Sequence, residues 1–351
     1  MAVFSVIVLI FTACDFFTEI DNYIDFTRWE DENGIVITDY TGPGGAIVIP
    51  DRINGSPVIS IWHRAFSNRG LISVIIPNSV TFIGDAAFDY NNLTSIFIPH
   101  SVTSIGSMAF DGNTNFQEFI VDQNNIHYSS IDGMLLDTDK KLVQFPMGRT
   151  DSYSIPNSVT SIGDFAFYNS RLTSVTIPDS VTAIGGSAFL SSRLISVTIP
   201  NSVISIGDFA FYNNRLISVT IPNNLVSIGE GVFAYNYLTS IVIPDNITSI
   251  GSMAFFSNHL ASVNIGNSVI SIKDQAFSQN NLISVIIPGS ITSIGEGAFY
   301  RNYLTSVVIG ANVQLSNPSF GYGFEDAYLA GGQAAGTYTR SDTGSTAWTK
   351  S

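Results

Sequence analysis

The feature that most constrains this chain is an 18-residue phrase, LTSVTIPDSVTAIGGSAF at 172–189, which returns many times with few changes. Each copy opens with a leucine, and two more copies open at Leu71 and Leu93. A fixed period of about 20 to 29 residues with this kind of opening is typical of a leucine-rich-repeat solenoid. The longest run has a step of 22 residues, and we number positions in each unit from 1 at its leucine: Leu172, Leu194, Leu216, Leu238, Leu260, Leu282 and Leu304.

Apolar residues alternate at the start of each unit, as they do in a short strand. In the unit that opens at Leu172, the side chains of Leu172, Val175 and Ile177 are expected to point inward. Pro178 follows and has no N–H for a parallel ladder, so it ends the strand. A short strand on one side of each coil is therefore predicted.

The second half of the unit is expected to return the chain to the start of the next strand. A second extended piece is predicted at 181–184, Gly185 is expected to permit a sharp bend, and Ala188 and Phe189 to close the coil. One unit holds too few apolar side chains to offset the entropy of ordering it, so units must stack. The predicted fold is a right-handed, curved solenoid, mainly β, with short turns or 3-10 and helical pieces, its strands joined into one sheet.

Position 9 of the unit is a small polar residue wherever the template holds. We expect these side chains to satisfy backbone groups in the turn and to form a hydrogen-bonded ladder along the solenoid. The set is Ser79, Ser101, Ser158, Ser180, Ser202, Ser268 and Ser290, with Asn224, Asn246 and Asn312 in the remaining units.

Charge and composition exclude one class of partner. Acidic residues number 28 and basic residues 14, which gives a formal net charge of −14. Binding to a nucleic acid depends on a surplus of Lys and Arg that displaces counterions from phosphates. The sequence therefore predicts no nucleic-acid partner.

The start of the chain has the form of a bacterial export signal. An apolar run at 3–11 is followed by Thr12, Ala13 and Cys14, the single cysteine of the sequence. The run is too short to span a bilayer as an ordinary helix but suits the core of a signal peptide. The segment 1–13 is predicted to be cleaved and Cys14 to be lipidated. The alternative is an uncleaved apolar strand with an incidental buried thiol.

The unit I-P-x-S-V-x-x-I-G-x-x-A-F resembles the BspA-like leucine-rich-repeat family of bacterial surface proteins, with a match from about Ala46 to Asn312. The stretch 116–153 breaks the period and resembles the hairpin-bearing variant repeat of such proteins. The end of the chain, with FEDAYLAGGQAAGTYTR and Trp348, is similar to a C-terminal cap of spirochaete-type members. The predicted organisation is an N-terminal segment or cap at 15–45, repeats at 46–115, the variant repeat at 116–153, repeats at 154–315 and a cap at 316–351.

No arrangement of reactive side chains points to catalysis or to a cofactor. The four histidines lie far apart in the sequence, and no motif for a nucleophile, a phosphate loop or a metal pair is present. Asp132, Asp137 and Asp139 lack the glycine and glutamate of a calcium loop, so a turn between strands is the prediction there. We expect a protein that is not an enzyme and that binds no metal and no cofactor.

The outward residues of the first strand form rows along the expected concave face. Position 3 is serine in every regular unit, and position 5 varies from apolar at the ends to threonine in the middle. Ile72, Ile75 and Phe97 form a candidate contact patch for a protein partner. The alternative is that such residues simply suit a strand surface.

Position 22, just before the opening leucine, carries arginine in three consecutive units: Arg171, Arg193 and Arg215. Stacked units place equivalent residues about 5 Å apart, so this row suits a carboxylate or sulfate on a partner. The nearby Tyr168 and Tyr212 are candidates to stack on a sugar or a protein. The alternative is a solvated edge copied by duplication.

The resemblance implies an adhesin-like function for a secreted, lipid-anchored protein at the cell surface or outer membrane. Its expected partners are host extracellular-matrix proteins, host cell-surface proteins or glycans, or other bacteria, with the lipid as its contact to the membrane. Two alternatives remain open. One is a structural cell-envelope protein without a specific ligand, and the other is a secreted protein without an anchor.

Overall fold

The computed structural model describes residues 23–30, 32–316 and 318–351. The predicted signal peptide and Cys14 lie outside the described residues. Within them, the chain winds as a mainly β solenoid of about 13 turns, and the predicted fold class is confirmed.

The N-terminal strands close the first layer of the core. The strand β1 pairs antiparallel with β2, which runs parallel to β5. Phe26 and Tyr40 on these strands pack against Phe66, with ring centroids 6.3 and 5.3 Å from it. The bounds are β1 (Phe26–Glu30), β2 (Ile35–Tyr40), β3 (Gly45–Val48), β4 (Arg52–Ile53) and β5 (Ser56–Ile61).

Most regular units contribute a first strand near the leucine, and each contributes a second strand of two residues near position 12. Where equivalent strands of neighbouring units pair, they do so in parallel, as Phe82 does with Ser104. The first units contain β6 (Leu71–Ile75), β7 (Phe82–Ile83), β8 (Ser95–Ile98), β9 (Ser104–Ile105) and β10 (Glu118–Val121).

An antiparallel hairpin interrupts the period. The strand β11 pairs with β12, which pairs with β13. Leu135 packs in the hydrophobic core on the N-terminal side, whereas Met134 and Leu136 of the same strand pack in the core on the C-terminal side. The core is therefore divided in two at β12. The bounds are β11 (Tyr128–Ile131), β12 (Met134–Asp137), β13 (Lys141–Gln144), β14 (Thr150–Ser154) and β15 (Ser161–Ile162).

The remaining units repeat the two-strand plan, but the predicted single sheet is wrong. The first strand is missing at 216–220, and β19 does not pair with β20. Leu216 and Ile221 stay buried across this gap, so side-chain packing continues where the ladder breaks. The bounds are β16 (Arg171–Thr176), β17 (Ala183–Ile184), β18 (Ser196–Thr198), β19 (Ser205–Ile206), β20 (Ser227–Ile228), β21 (Ser240–Ile243), β22 (Ser249–Ile250), β23 (Ser262–Ile265), β24 (Ser271–Ile272), β25 (Ser284–Ile286), β26 (Ser293–Ile294), β27 (Ser306–Ile309) and β28 (Gln314–Leu315).

The side chains predicted to point inward do so. Leu172, Val175, Ile177 and Phe189 are all at most 3% exposed. The phenylalanines at position 18 stack face to face along the solenoid, with centroids 5.1 Å apart between Phe189 and Phe211. The core is therefore a column of nearly identical layers.

Gly185 is required for a different reason from the predicted bend. Its φ lies outside the left-handed region, and a Cβ added there would stand 2.5 Å from the backbone nitrogen of Asp164 in the previous unit. The turn is made instead by Ser187 and Ser191, whose φ angles are 53° and 59°. The glycine thus permits close stacking of two turns.

A small cap covers the last layer. The helix α1 (Phe324–Ala330) and the strands β29 (Gly336–Thr339) and β30 (Thr349–Lys350) follow the last unit. Phe324 packs on Phe320 and Trp348, with ring centroids 4.5 and 5.2 Å away. The strand β29 pairs antiparallel with β27, so the cap also covers the edge of that ladder.

Candidate functional site

Metal-ligating side chains do not cluster in the part of the chain that the structure describes. No three His, Cys, Asp or Glu side chains come together there in a way that would hold a metal ion. No helix within those residues is long and apolar enough to cross a membrane. Candidate sites must therefore be sought among the surfaces that the stacked units present.

A row of asparagines at position 21 builds the edge from which the arginine row projects. Asn214 Oδ1 accepts a hydrogen bond from the backbone N–H of Leu194 at 2.9 Å, and its Nδ2 donates to the carbonyl of Phe189 at 2.7 Å. The sequence analysis missed this ladder, although its constant spacing was visible. The members are Asn91, Asn113, Asn214, Asn236, Asn258, Asn280 and Asn302.

The predicted ladder at position 9 is also present in most units. Ser180, Ser202 and Ser290 each donate a hydrogen bond of 2.7 Å from Oγ to a carbonyl of the previous unit. These bonds lie on the opposite half of the coil from the asparagine row. Both halves of a turn are therefore hydrogen-bonded to the preceding turn.

The asparagine row is broken where the arginines begin. Ser170 and Ser192 occupy position 21 in those two units, and both are buried. Ser192 Oγ donates to the carbonyl of Phe167, but Ser170 Oγ has no hydrogen-bond partner. The shorter side chains hold this part of the edge with fewer hydrogen bonds.

Arg193 and Arg215 lie together on this edge. They line a depression of about 400 Å³ with Tyr237 and with polar side chains of neighbouring units. Neither guanidinium makes an ion pair or a side-chain hydrogen bond with a described residue. The polar residues are Asn169, Ser191, Asn213 and Asn214.

The backbone of Arg193 is strained. Its φ is 62°, in the left-handed region, whereas Arg171 and Arg215 at the same position of their units lie outside it. For a residue with a Cβ this conformation costs roughly 1 kcal/mol or more. Left-handed residues other than glycine also occur in the turns of the other units, for example Phe209 and Asn213.

The other predicted members of this site lie elsewhere. Arg171 is exposed at the start of β16 and does not line the depression. Tyr168 packs on Phe165 with centroids 6.0 Å apart, and Tyr212 packs on Tyr235 at 5.1 Å. Burial is the main cause that raises the pKa of both tyrosines, so both rings are partly enclosed. In the depression, Tyr237 takes the place expected for them.

The predicted apolar patch is exposed and larger than expected. Ile72, Ile75 and Phe97 have exposed fractions of 56%, 61% and 45%. Ladder pairing sets Val48 beside Ile75 and Ile120 beside Phe97. A row of apolar side chains therefore crosses the strands on the N-terminal side of the hairpin.

Comparison with known proteins identifies the repeat. The profile of the BspA type leucine rich repeat region matches residues 47–146, 143–259 and 204–323, in six copies. The chain belongs to the BspA-type leucine-rich-repeat family. This is a family of bacterial surface-type repeat proteins, as the resemblance implied. No curated protein matches the chain.

Several solved structures are similar to this chain at low identity. A leucine-rich repeat protein from Eubacterium ventriosum is 20% identical, with a TM-score of 0.53 over 73% of this chain and 76% of that chain. A leucine rich cell surface protein from Faecalibacterium prausnitzii is 21% identical, with a TM-score of 0.41 over 86% of this chain and 94% of that one. The pneumococcal vaccine antigen PcpA is 18% identical, with a TM-score of 0.41 over 77% and 93%.

Proposed function

We propose that this protein is a non-enzymatic, adhesin-like surface protein that binds anionic groups of a partner at the depression between Arg193 and Arg215. The observation that carries the proposal is the unneutralised pair of guanidinium groups. The chain carries 28 acidic residues, yet none of the described ones pairs with either arginine.

The electrostatics of the pair favour an anion. Arg193 and Arg215 lie one unit apart and line the same depression, and two like charges at short range repel even in water. A carboxylate or sulfate placed between them relieves that repulsion and accepts charge-assisted hydrogen bonds from planar donors. Amide and hydroxyl groups from Asn213 and Ser191 complete a polar lining.

The partner classes that fit are matrix proteins with exposed acidic side chains and sulfated glycans on host cells or other bacteria. Tyr237 is 48% exposed and lines the same depression, so it offers a ring on which part of the partner can stack. This combination of charge and aromatic surface supports reversible protein or glycan contacts.

We also propose that the protein is secreted and held at the cell surface by a lipid on Cys14. The support is the form of the leader, an apolar run that ends in small residues before that cysteine. Incorporation of labelled palmitate by bacteria that express the full chain, and its loss in Cys14→Ser, is the test. Equal labelling of both proteins would exclude this anchor.

The binding proposal is tested by surface plasmon resonance over immobilised fibronectin, fibrinogen, laminin, collagen and heparan sulfate. We expect saturable binding that weakens as salt rises, because the contact is ionic. The double variant Arg193→Ala/Arg215→Ala should lose at least about tenfold in affinity, since hydrogen bonds to charged groups are the strong ones. Arg171→Ala is the control for the single variants Arg193→Ala and Arg215→Ala, because each of the three removes one guanidinium charge and Arg171 lies outside the depression.

Four outcomes have different meanings. Loss of binding in the double variant but not in Arg171→Ala supports the depression as the site. Equal loss in both indicates only a general effect of charge. Saturable binding that survives in the double variant moves the site to the apolar row. No binding to any surface favours a structural envelope protein.

A further inference from the structure

A second cavity opens on another part of the surface, beside the last units. It has a volume of about 430 Å³ and lies several units away from the arginine depression. Its walls come from positions 15 to 20 of the units that open at Leu260 and Leu282, with additions from both sides. We call this cavity the C-terminal notch.

The notch exists because an aromatic row is interrupted. Upstream, Tyr235 and Phe256 are in ring contact at 5.3 Å, and downstream Tyr300 and Tyr322 are in contact at 6.0 Å. Between these pairs, position 19 is the small and buried Ser278. A gap one side chain wide is thus left between two aromatic walls.

The gap between the walls is wide enough for a flat ring. Phe256 and Tyr300 are two units apart, and the core phenylalanines of these units are spaced 5.3 Å per step. A ring in contact with one wall needs roughly 4 Å, the contact distance of carbon atoms, so it stacks on one wall and leaves room for polar contacts on its other side. Tyr300 is held in place by its hydroxyl contact of 3.3 Å with Tyr322.

The floor and rim are polar and nearly neutral. Gln275 and Gln279 present amide groups, and Glu296 and Arg301 bring one charge of each sign. The guanidinium of Arg301 lies 5.8 Å from the ring centroid of Tyr300. Amides, a carboxylate and a guanidinium beside aromatic rings can form hydrogen bonds with several hydroxyl groups of one ligand at once.

The unit that forms the notch has its own residues at variable positions of the repeat. Glutamine occurs at position 16 only in Gln275 and at position 20 only in Gln279 among the regular units. Position 19 varies from unit to unit, with tyrosine at Tyr212 and Tyr300 and a small side chain at Ala234 and Ser278. The lining of the notch is therefore specific to this part of the solenoid.

We propose that the C-terminal notch binds a neutral hexopyranose unit of a glycan. One face of such a sugar is formed by C–H groups and packs on an aromatic ring, while its equatorial hydroxyls meet the amide and charged groups. The balance of Glu296 and Arg301 favours a neutral sugar over the anionic groups proposed for Arg193 and Arg215. The two sites are independent, and each is tested separately.

The test uses saturation-transfer-difference NMR on the full chain with a panel of methyl hexopyranosides, namely those of glucose, galactose, mannose and N-acetylglucosamine. A single sugar has few atoms, so we expect a dissociation constant in roughly the millimolar range. At least one sugar should give a saturable signal. Ser278→Tyr fills the notch with a side chain that position 19 carries in other units, as at Tyr212.

We expect Ser278→Tyr to abolish the signal and Tyr300→Ala to weaken binding at least about tenfold. Leu190→Tyr makes a similar change at position 19 of another unit and should keep the signal. Arg193→Ala/Arg215→Ala should also keep it, which separates this proposal from the previous one. Circular dichroism and melting curves identify any variant that fails to fold, and Gln279→Ala then provides a second variant in the notch.

The proposal is overturned if none of the four sugars gives a saturable signal at concentrations of about 50 mM, far above that range. It is equally overturned if folded Ser278→Tyr and Gln279→Ala bind as the parent does. Binding that is lost in Leu190→Tyr as well would show that the sugar contacts the aromatic row elsewhere.

Discussion

Asn236 joins three segments of the solenoid through one side chain. Its Oδ1 accepts a hydrogen bond from the N–H of Leu216 at 3.0 Å, and its Nδ2 donates to the carbonyl of Phe211 at 2.9 Å, in the previous unit. The side chain is 2% exposed. Stacking of the units thus depends on a buried amide as well as on apolar packing.

Replacement of this amide should therefore destabilise the protein. We expect Asn236→Ala to lower the free energy of unfolding by about 1–3 kcal/mol, because the N–H of Leu216 is left buried without a partner. The measurement is urea denaturation followed by circular dichroism. Asn281→Ala is the control, since Asn281 is exposed in the adjoining position 22. Equal midpoints for both variants would contradict the role of the amide.

Two neighbouring glycines offer a second comparison. A Cβ at Gly185 would stand 2.5 Å from the Asp164 nitrogen, whereas a Cβ at Gly186 would meet its nearest atom, the carbonyl oxygen of Asp208, at 3.6 Å. We expect Gly185→Ala to destabilise by about 1–3 kcal/mol through overpacking. Gly186→Ala should be neutral or slightly stabilising. Thermal melting measures both, and a larger loss in Gly186→Ala would contradict the close approach at Gly185.

A buried carboxyl should make stability depend on pH. Asp111 is 7% exposed and accepts a hydrogen bond from Gln144 at 3.3 Å. Burial is the main cause that raises the pKa of Asp111 from 3.8 to about 7, with the nearby Asp89 adding to it.

Asp111 holds its proton more tightly in the folded state than in the unfolded state. Its contribution to the free energy of unfolding is therefore largest below about pH 4, falls as the pH rises to about 7, and does not change above that. The rise from 3.8 to about 7 corresponds to roughly 4 kcal/mol.

Denaturation curves between pH 4 and 8 give the free energy of unfolding at each pH. In Asp111→Asn this free energy should fall less as the pH rises, and the variant should be more stable than the parent protein at pH 8. Parallel profiles of the two proteins would refute the assignment.

The aromatic column should carry much of the stability. Phe211 is fully buried between Phe189 and Phe233, with centroids 5.1 and 5.5 Å away. Phe211→Ala should cost about 3–5 kcal/mol by leaving a cavity. Hydrogen exchange should show the loss concentrated in the adjacent turns, because each unit contacts mainly its neighbours. Tyr303→Ala, at a ring that is 56% exposed, should change stability by less than about 0.5 kcal/mol.

The solenoid and its inward residues could be predicted because every position is repeated. A pattern such as Leu172, Val175 and Ile177 recurs in unit after unit, so chance alternation is averaged out. The continuous sheet was wrong because each strand is only two to six residues long and the ladder ends where a unit forms no first strand, as at 216–220. Burial at Leu216 does not depend on that pairing.

The asparagine ladder could not be recognised from residue type, since asparagine is also common in exposed turns. Its burial follows from left-handed residues at positions 16 and 20, such as Phe209 and Asn213, which turn the edge inward. The same geometry separates position 19 from position 22. Tyr212 therefore lies outside the depression, although it precedes Arg215 by only three residues.

The C-terminal notch depends on residues that are distant in sequence. Tyr322 comes from the segment after the last regular unit, and its contact with Tyr300 is made by the folding of the cap. Without the structure, Ser278 is only a small residue at a variable position. A site of this kind forms where the residues of one unit differ from those of its neighbours. It can be recognised only when the adjacent units are placed together in the structure.

The strand β12 has a mechanical consequence. Because Leu135 faces one core and Met134 and Leu136 face the other, the strand is a shared wall between two cooperative blocks. If a lipid holds the N-terminal end and a partner is bound at the depression, as proposed above, a pulling force passes through this strand. We expect such a load to part the solenoid at this wall, so that one block lengthens while the other stays folded.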